Sequence, residues 1–299
     1  MKLVVTGSLG HISKPLTQEL VQKGHSVTVI SSNPEKQKAI EALGAKAAIG
    51  TIENVDFLTA AFTGADAVYC MEPPVNFFDN SIDIFEFYRT IGNNYAQAIL
   101  QSGVKHVVHL SSIGAHTNQD NGLLSFHYDV EQILQQLPPD IAITFMRPVG
   151  FYYNLFFFIP MIKMKGVMAS NYYADYKEPW VSPIDIATAV AEEIANPFEG
   201  RKVRYLVSDE VTSDELAGIL GEAIGKPDLK WAEISDAALH NIYAGVGMSP
   251  QAVKGLVEMN ASRRNGILYE DYFRNKPSSF GTVKLTDFAK EFAVVYNKQ

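Results

Sequence analysis

Cysteine is nearly absent: Cys70 stands alone in a chain of 299 residues. One thiol makes neither an internal disulfide nor a thiolate cluster, so a reducing, cytoplasmic setting is expected. Positive charge is scarce too. Lys and Arg number 25 against 33 Asp and Glu, for a formal net charge of -8, and no basic tract stands out, which argues against a nucleic-acid partner. No apolar run is long enough to predict a membrane span. The most apolar stretch, Phe151 to Ile162, is broken by Asn154 and Pro160 and ends at Lys163, short of the ~20 residues a spanning helix needs. At the start, Gly7 and Ser8 interrupt the apolar residues too early for a secretory signal. Gly-x-Ser-x-Gly does not occur, which removes the hydrolase elbow. Metal ligands do not cluster: His106 and His109 lie three apart on one expected strand and point to opposite faces. Internal repeats are also missing.

What the chain does contain is ordinary for a folded protein with a core: 47% apolar and 19% charged residues. Apolar runs of strand length alternate with stretches of helical spacing. Strands are expected at Lys2–Thr6, Ser26–Ile30, Ala45–Ile49, Ala67–Met71, Val104–Leu110 and Ile141–Met146. Helices are expected at Lys14–Lys23, Pro34–Leu43, Asn54–Phe62, Ile82–Gln101 and Phe126–Gln136. Such alternation implies right-handed crossovers and a doubly wound parallel Rossmann sheet. Beyond it, Ser182 is expected to cap a helix over 183–195, with Asp185 in near capping-box spacing. Val203–Val207 reads as one more strand. Thr212-Ser213-Asp214-Glu215 is a full capping-box pattern. The expected architecture is a dinucleotide-binding domain over 1–150, with 180–210 returning to it. A smaller, mainly helical carboxyl-side lobe over 151–179 and 211–299 is expected to face the substrate. Trp231, Tyr269 and Tyr272, in the tail, are expected to be core residues.

Open parallel sheets bind ligands at the carboxyl ends of their strands, which points to the residues after each strand. After the first comes Gly7-Ser8-Leu9-Gly10-His11-Ile12-Ser13. A glycine directly after a strand permits positive φ, a second leaves room for a pyrophosphate, and the following helix aims free N–H groups at it. Gly7, Leu9, Gly10, His11 and Ile12 are therefore expected around a dinucleotide. Ser13 replaces the usual third glycine, and a slightly displaced helix is expected. The second strand ends in Ser31-Ser32-Asn33, with Lys36 and Lys38 nearby and no carboxylate for the ribose hydroxyls. Lacking that charge, the turn favours NADP(H), with NAD as the alternative. Met71, Pro73, Ser111, His127, Pro148 and Phe151 complete the expected cofactor contacts.

Several segments resemble the NmrA-like group of atypical short-chain dehydrogenases/reductases. They are Val5-Thr6-Gly7-Ser8-Leu9-Gly10, Ser31-Ser32-Asn33-Pro34-Glu35-Lys36, Gly64-Ala65-Asp66-Ala67-Val68, Val104-Lys105-His106-Val107-Val108, and Arg147-Pro148 followed by Phe151 and Asn154. The resemblance covers most of residues 1–210. It implies a Rossmann fold and a nicotinamide dinucleotide; for the reaction it is less specific. The group commonly places an aspartate near the adenine where this chain has Thr51.

Short-chain reductases use Tyr-x-x-x-Lys, the lysine lowering the tyrosine pKa. Tyr128 matches, but Gln132 stands where the lysine belongs. His127 and Glu131, one helical turn apart, are similar to the His/Lys-x-x-x-Glu pattern of the group. On that reading Glu131 orients or charges His127, which touches the nicotinamide ribose or relays a proton. Ser112 is the expected substrate hydroxyl, so His127, Ser112 and Tyr128 are the catalytic candidates. Phe151, Tyr152, Tyr153, Phe156 and Phe157, with Asn154 among them, suit either a wall for a planar apolar substrate or packing between lobes or protomers. The leading expectation is an NAD(P)H-dependent oxidoreductase passing hydride to a quinone or other small conjugated carbonyl. The alternatives are a redox-sensing regulator binding a protein partner, and a sugar-nucleotide epimerase or dehydratase.

Overall fold

The computed structural model describes residues 1–298. Strands β1 (Lys2–Val5), β2 (Ser26–Ser31), β3 (Lys46–Ile49), β4 (Ala67–Met71), β5 (His106–Leu110) and β6 (Ala142–Pro148) follow the expected alternation within a few residues. Three short strands come next: β7 (Gly150–Phe151), β8 (Met168–Ser170) and β9 (Lys177–Val181). They are followed by β10 (Arg201–Leu206), β11 (Asp209–Thr212) and β12 (Trp231–Glu233). Seven strands form one parallel sheet in the order β10-β6-β5-β4-β1-β2-β3. The order reverses between β1 and β4, so the crevice for a ligand opens above those two strands.

Helices α1 (Ser13–Gln22), α2 (Gln37–Glu41), α3 (Val55–Phe62), α4 (Ile84–Ser102), α5 (Ser125–Gln135), α6 (Ile159–Lys165) and α7 (Pro183–Ala195) cover the sheet and lead out of it. Strand periodicity decides which face each residue serves. Leu3 and Val5 of β1 pack with Leu16 and Leu20 of α1 and Ile186 and Val190 of α7. Val4, between them, packs with Leu58 of α3, Ile91 and Tyr95 of α4, and Val130 of α5. Both faces are thus dry, and each fully buried Leu or Ile contributes roughly 1.5–3 kcal/mol. Caps set the helix starts. Asn54 Oδ1 accepts from Phe57 N at 3.0 Å, and Asp83 Oδ1 accepts from Phe85 N and Glu86 N.

The carboxyl part holds α8 (Ser213–Ala223), α9 (Asp236–Gly245), α10 (Pro250–Arg264), α11 (Glu270–Arg274) and α12 (Leu285–Lys298). Around Tyr152, Leu155, Trp231, Leu216, Phe288 and Phe292 these helices build a third core cluster. Trp231 is buried in this cluster; Tyr269 and Tyr272 are buried too, but in the sheet core beside α1 and α7. Two small sheets, β11-β9-β7 and β12-β8, were not expected. Pro179 hides β9 from pattern reading, because proline lacks the N–H of a ladder; its pairing with β7 covers only Trp180 and Val181.

The capping box at Thr212 forms in both directions, Glu215 N to Thr212 Oγ1 at 3.1 Å and Thr212 N to Glu215 Oε2 at 2.8 Å. The near-box at Ser182 does not close. Ser182 caps Ile184 N, while Asp185 accepts from Ser208 Oγ at 2.6 Å and from Thr282 N and Val283 N, clamping the 281–283 loop onto α7. A glycine seam joins α10 to the loop before α5. A Cβ on Gly122 (φ +56) would lie 2.1 Å from the Gly255 carbonyl oxygen, and one on Gly255 would lie 2.6 Å from Leu123 Cγ.

Candidate functional site

Gly7 sits at φ +85, and a Cβ there would stand 2.5 Å from Ser13 Oγ and 2.9 Å from Met71 Sδ. Only glycine fits this turn without moving its neighbours. Ser13 is taken up by a buried bond from its Oγ to the Thr6 carbonyl at 2.8 Å, tying the start of α1 to the end of β1. Helix α1 then begins at Ser13, and Ile12 before it supplies no side-chain cap. Lys14 N already donates to the Gly10 carbonyl and Pro15 has no N–H, so what α1 offers an anion is chiefly its positive dipole end. Across the turn, Ser8 Oγ donates to Ser31 Oγ at 2.8 Å.

A cleft of about 860 Å³ opens from this loop over the sheet crevice. Of the residues expected at the site, Gly7, Gly10, His11, Ile12, Ser31, Ser32, Met71, Pro73, Ser111, Ser112, His127 and Phe151 line it. Five do not. Leu9 packs against the α1 face of the core. Asn33 Oδ1 caps the turn that follows, accepting from Glu35 N at 2.8 Å, and Lys36 sits exposed in that turn. The Pro148 carbonyl is taken by Ile113 N. Tyr128 lies on α5 outside the cleft. Thr51 lines the cleft beside Glu53, a carboxylate that pattern reading passed over.

The expected coupling of His127 to Glu131 is not what the fold makes. Glu131 is buried and faces inward. It accepts from Arg147 Nη2 at 2.6 Å, Arg147 Nε at 2.9 Å and Ser111 Oγ at 2.5 Å. Arg147 continues to Asp271 at 3.0 Å, so the helical pair is replaced by a bridge from α5 through β6 to α11. His127 instead faces Glu72, the residue after β4, with Nδ1 3.8 Å from Oε2. Glu72 Oε1 meets His109 Nε2 of β5 at 2.8 Å. Burial would push the Glu72 carboxyl up, but the His109 charge and hydrogen bond hold it below its ordinary value. Burial would likewise drain His109, yet Glu72 keeps that imidazole above its ordinary value. Glu72 and His109 are therefore a buried ion pair. His127 goes the other way: burial first, then the His109 charge, outweighs Glu72 and pushes it down to about 4. At neutral pH it is an uncharged imidazole.

The far end of the cleft is aromatic. Phe126 stacks on Tyr88 at 3.7 Å between centroids, and His11 stacks on Tyr153 at 4.6 Å across the mouth. The stretch after Arg147-Pro148 divides. Phe151, Tyr153 and Asn154 line the cleft; Tyr152 is buried and Phe156 packs on Phe288 and Phe292; Phe157 is exposed. The carboxyl part contributes Met259, Arg263, Leu268 and Tyr269 to the wall. No local pattern announces Arg263 or Tyr269; Arg263 arrives through the packing of α10 and Tyr269 through the helical turn after it. Glu72 did carry a signal, since it follows a strand at the switch point.

A model of the NmrA-like family matches residues 1–269. Among solved structures, a nucleoside-diphosphate-sugar epimerase from Staphylococcus aureus superposes with TM-score 0.78 at 20% identity, covering 97% of this chain and 100% of that one. An NADPH-dependent quinone oxidoreductase from Escherichia coli, complexed with NADPH, gives 0.78 at 22%, covering 97% and 99%. Triphenylmethane reductase from Citrobacter sp. gives 0.75 at 22%, covering 98% and 100%. At these identities the likeness is one of fold. Curated relatives match over shorter stretches. A 4-hydroxy-2-methyl-3-oxo-4-farnesyl-3,4-dihydroquinoline-1-oxide ketoreductase from Stigmatella aurantiaca is 32% identical over 69 residues, 23% of this chain and 21% of that protein. Sterol demethylase protein B from Methylococcus capsulatus is 25% identical over 131 residues, 44% of this chain and 40% of that protein. With a family match that runs from the first strand to the residues lining the far wall of the cleft, the chain belongs to the NmrA-like family.

Proposed function

We propose that this chain is an NADP(H)-dependent reductase of quinones or other small conjugated carbonyls. The carrying observation is the continuity of one cleft from the uncapped start of α1 to an aromatic chamber. The loop suits a dinucleotide, because Gly7 takes the positive φ of the strand-to-helix turn and Gly7, Ser8, Gly10 and Ile12 line the cleft beside the start of α1. Gly7, Gly10 and the first turn of α1 would hold the pyrophosphate. Ser31 and Ser32 would meet the adenosine ribose and its 2′-phosphate, with no carboxylate at the end of β2 to repel it. Ser111, Ser112 and His127 would border the nicotinamide end. When bound, this cofactor supplies a hydride.

The chain's own residues set what that hydride suits. Tyr128 is outside the cleft, and His127 is pushed down to about 4, so neither is an acid there at neutral pH. A quinone or enone fits this, since its reduced anion takes a proton from water. Phe126, Tyr153 and Tyr269 exclude water from a planar face. The quinone oxidoreductase from Escherichia coli shares the fold and supports the reading. Stopped-flow oxidation of NADPH over a panel of quinones and enones tests it, and no turnover above buffer with any of them sinks it. The missing acid also favours a second reading, a dinucleotide-responsive binding protein. In that case a partner would be retained differently by the NADPH and NADP⁺ forms. Sugar-nucleotide epimerisation is disfavoured, since it begins with a strong base at the position Tyr128 fails to reach.

A further inference from the structure

Arg263 is placed unlike any other cation of the chain. It comes from the last turn of α10 and lines the cleft, although its side chain is only 13% exposed. Nη1 donates to Glu178 Oε2 at 3.0 Å, and Nε is buried with no partner. Nη2 makes no hydrogen bond of ordinary geometry to a described residue, though the Tyr172 hydroxyl lies near this guanidinium, and Nη2 is not among the buried atoms of a residue that lines the cleft. The guanidinium carbon stands 5.0 Å from the Tyr172 ring centroid and 5.7 Å from that of Trp180, so two aromatic rings pack against it. Both Glu178 oxygens are engaged: Tyr269 donates to Oε1 at 2.8 Å, and Tyr269 itself lines the cleft. The result is a rigid donor with one edge unspent, beside the aromatic chamber.

We propose that Arg263 is the anchor for an anionic oxygen of the substrate, so that the preferred acceptor is a conjugated carbonyl bearing a carboxylate or phenolate. Nη2 donates to that oxygen, and Tyr269, Leu268 and Met259 carry the apolar body. A charged donor already held in position loses little freedom on binding, so its hydrogen bond discriminates strongly between an anion and its neutral analogue. This deepens the reductase reading and rests on it for the fate of the carbonyl. The anchor itself is a matter of binding.

The test is equilibrium binding of 1,4-naphthoquinone-2-carboxylate and its methyl ester to the protein saturated with NADP⁺, read by quenching of tryptophan fluorescence. The carboxylate is expected to bind about tenfold more tightly than the ester. Arg263→Met should erase that preference while leaving ester and NADPH affinity unchanged, and Arg263→Lys should keep part of it. Because Arg263→Met leaves Glu178 buried and unpaired, the double variant Arg263→Met with Glu178→Gln is measured too. It should fold and show the same loss. Equal binding of the two compounds, no binding of either, or a loss of NADPH affinity in these variants overturns the anchor. NADPH oxidation by menadione, which has no anionic group, decides the reductase reading separately.

Discussion

A methyl group at residue 7 would strike two side chains at once, Ser13 and Met71, and would also force a β-carbon onto a backbone at φ +85. Gly7→Ala is therefore expected to weaken NADPH binding at least about tenfold and to cost about 1 kcal/mol or more of stability. Isothermal titration and thermal melting check the two effects. The buried triad beside the cleft makes a pH prediction. Glu72 is held below its ordinary value, so its stabilisation is present above the unfolded carboxyl pKa and fades as pH falls through the lower folded value. His109 is held above its ordinary value, so its share is complete below the unfolded imidazole pKa and fades as pH rises through the folded one. His127, at about 4, is the opposite of His109: folding disfavours its protonation, and stability is lost as pH falls from 6.5 towards 4. His127→Gln should flatten that acid limb by as much as roughly 3 kcal/mol. Urea titrations at pH 7 and pH 4.5 measure it, and an unchanged limb would remove His127 as its origin.

The glycine loop could be read from the chain because every residue it needs is consecutive. Glu72 and His109 could not be paired that way. They lie 37 residues apart, and only the β4–β5 register brings them together. The same limit explains the error over Glu131. Helical spacing placed it near His127, but nothing local reveals that Arg147 of the neighbouring strand reaches it first.

Among the elements, local chemistry predicts starts better than partners. Asn54 and Thr212 cap as their patterns require. Thr212→Ala removes one side of a closed box and should cost about 1 kcal/mol, read as a lower Tm with NADPH binding untouched. Asp185 fits the same pattern at Ser182 but serves a distant loop instead. Asp185→Asn weakens acceptance from four donors on three residues, Ser208, Thr282 and Val283. It should loosen the 281–283 loop, seen as faster amide exchange at Val283. Strand β9 escaped notice for the opposite reason: its proline argues against a strand until its short ladder is seen.

For the whole molecule, the bridge Glu131–Arg147–Asp271 connects helix, sheet and tail. Arg147→Met would strand a buried carboxylate and should cost about 3–5 kcal/mol, much of it recovered when Glu131→Gln is added. Chemical denaturation of the single and double variants tests this. A cost equal in both would mean that packing, not charge, holds the bridge. The alternation of strands and helices made the sheet legible, since its apolar periodicity is repeated along half the chain. The wall built by α10 was not legible, because its cleft-facing residues are chosen by how one helix seats against a loop.

That seating is set where Gly122 meets Gly255, backbone against backbone. Met259 and Arg263 follow Gly255 at four-residue intervals and so share its side of the helix. The seam therefore acts as a gauge. It holds the separation of the two walls with atoms that no substitution at 259 or 263 alters. Substrate preference can change through those two side chains while the width of the chamber stays constant.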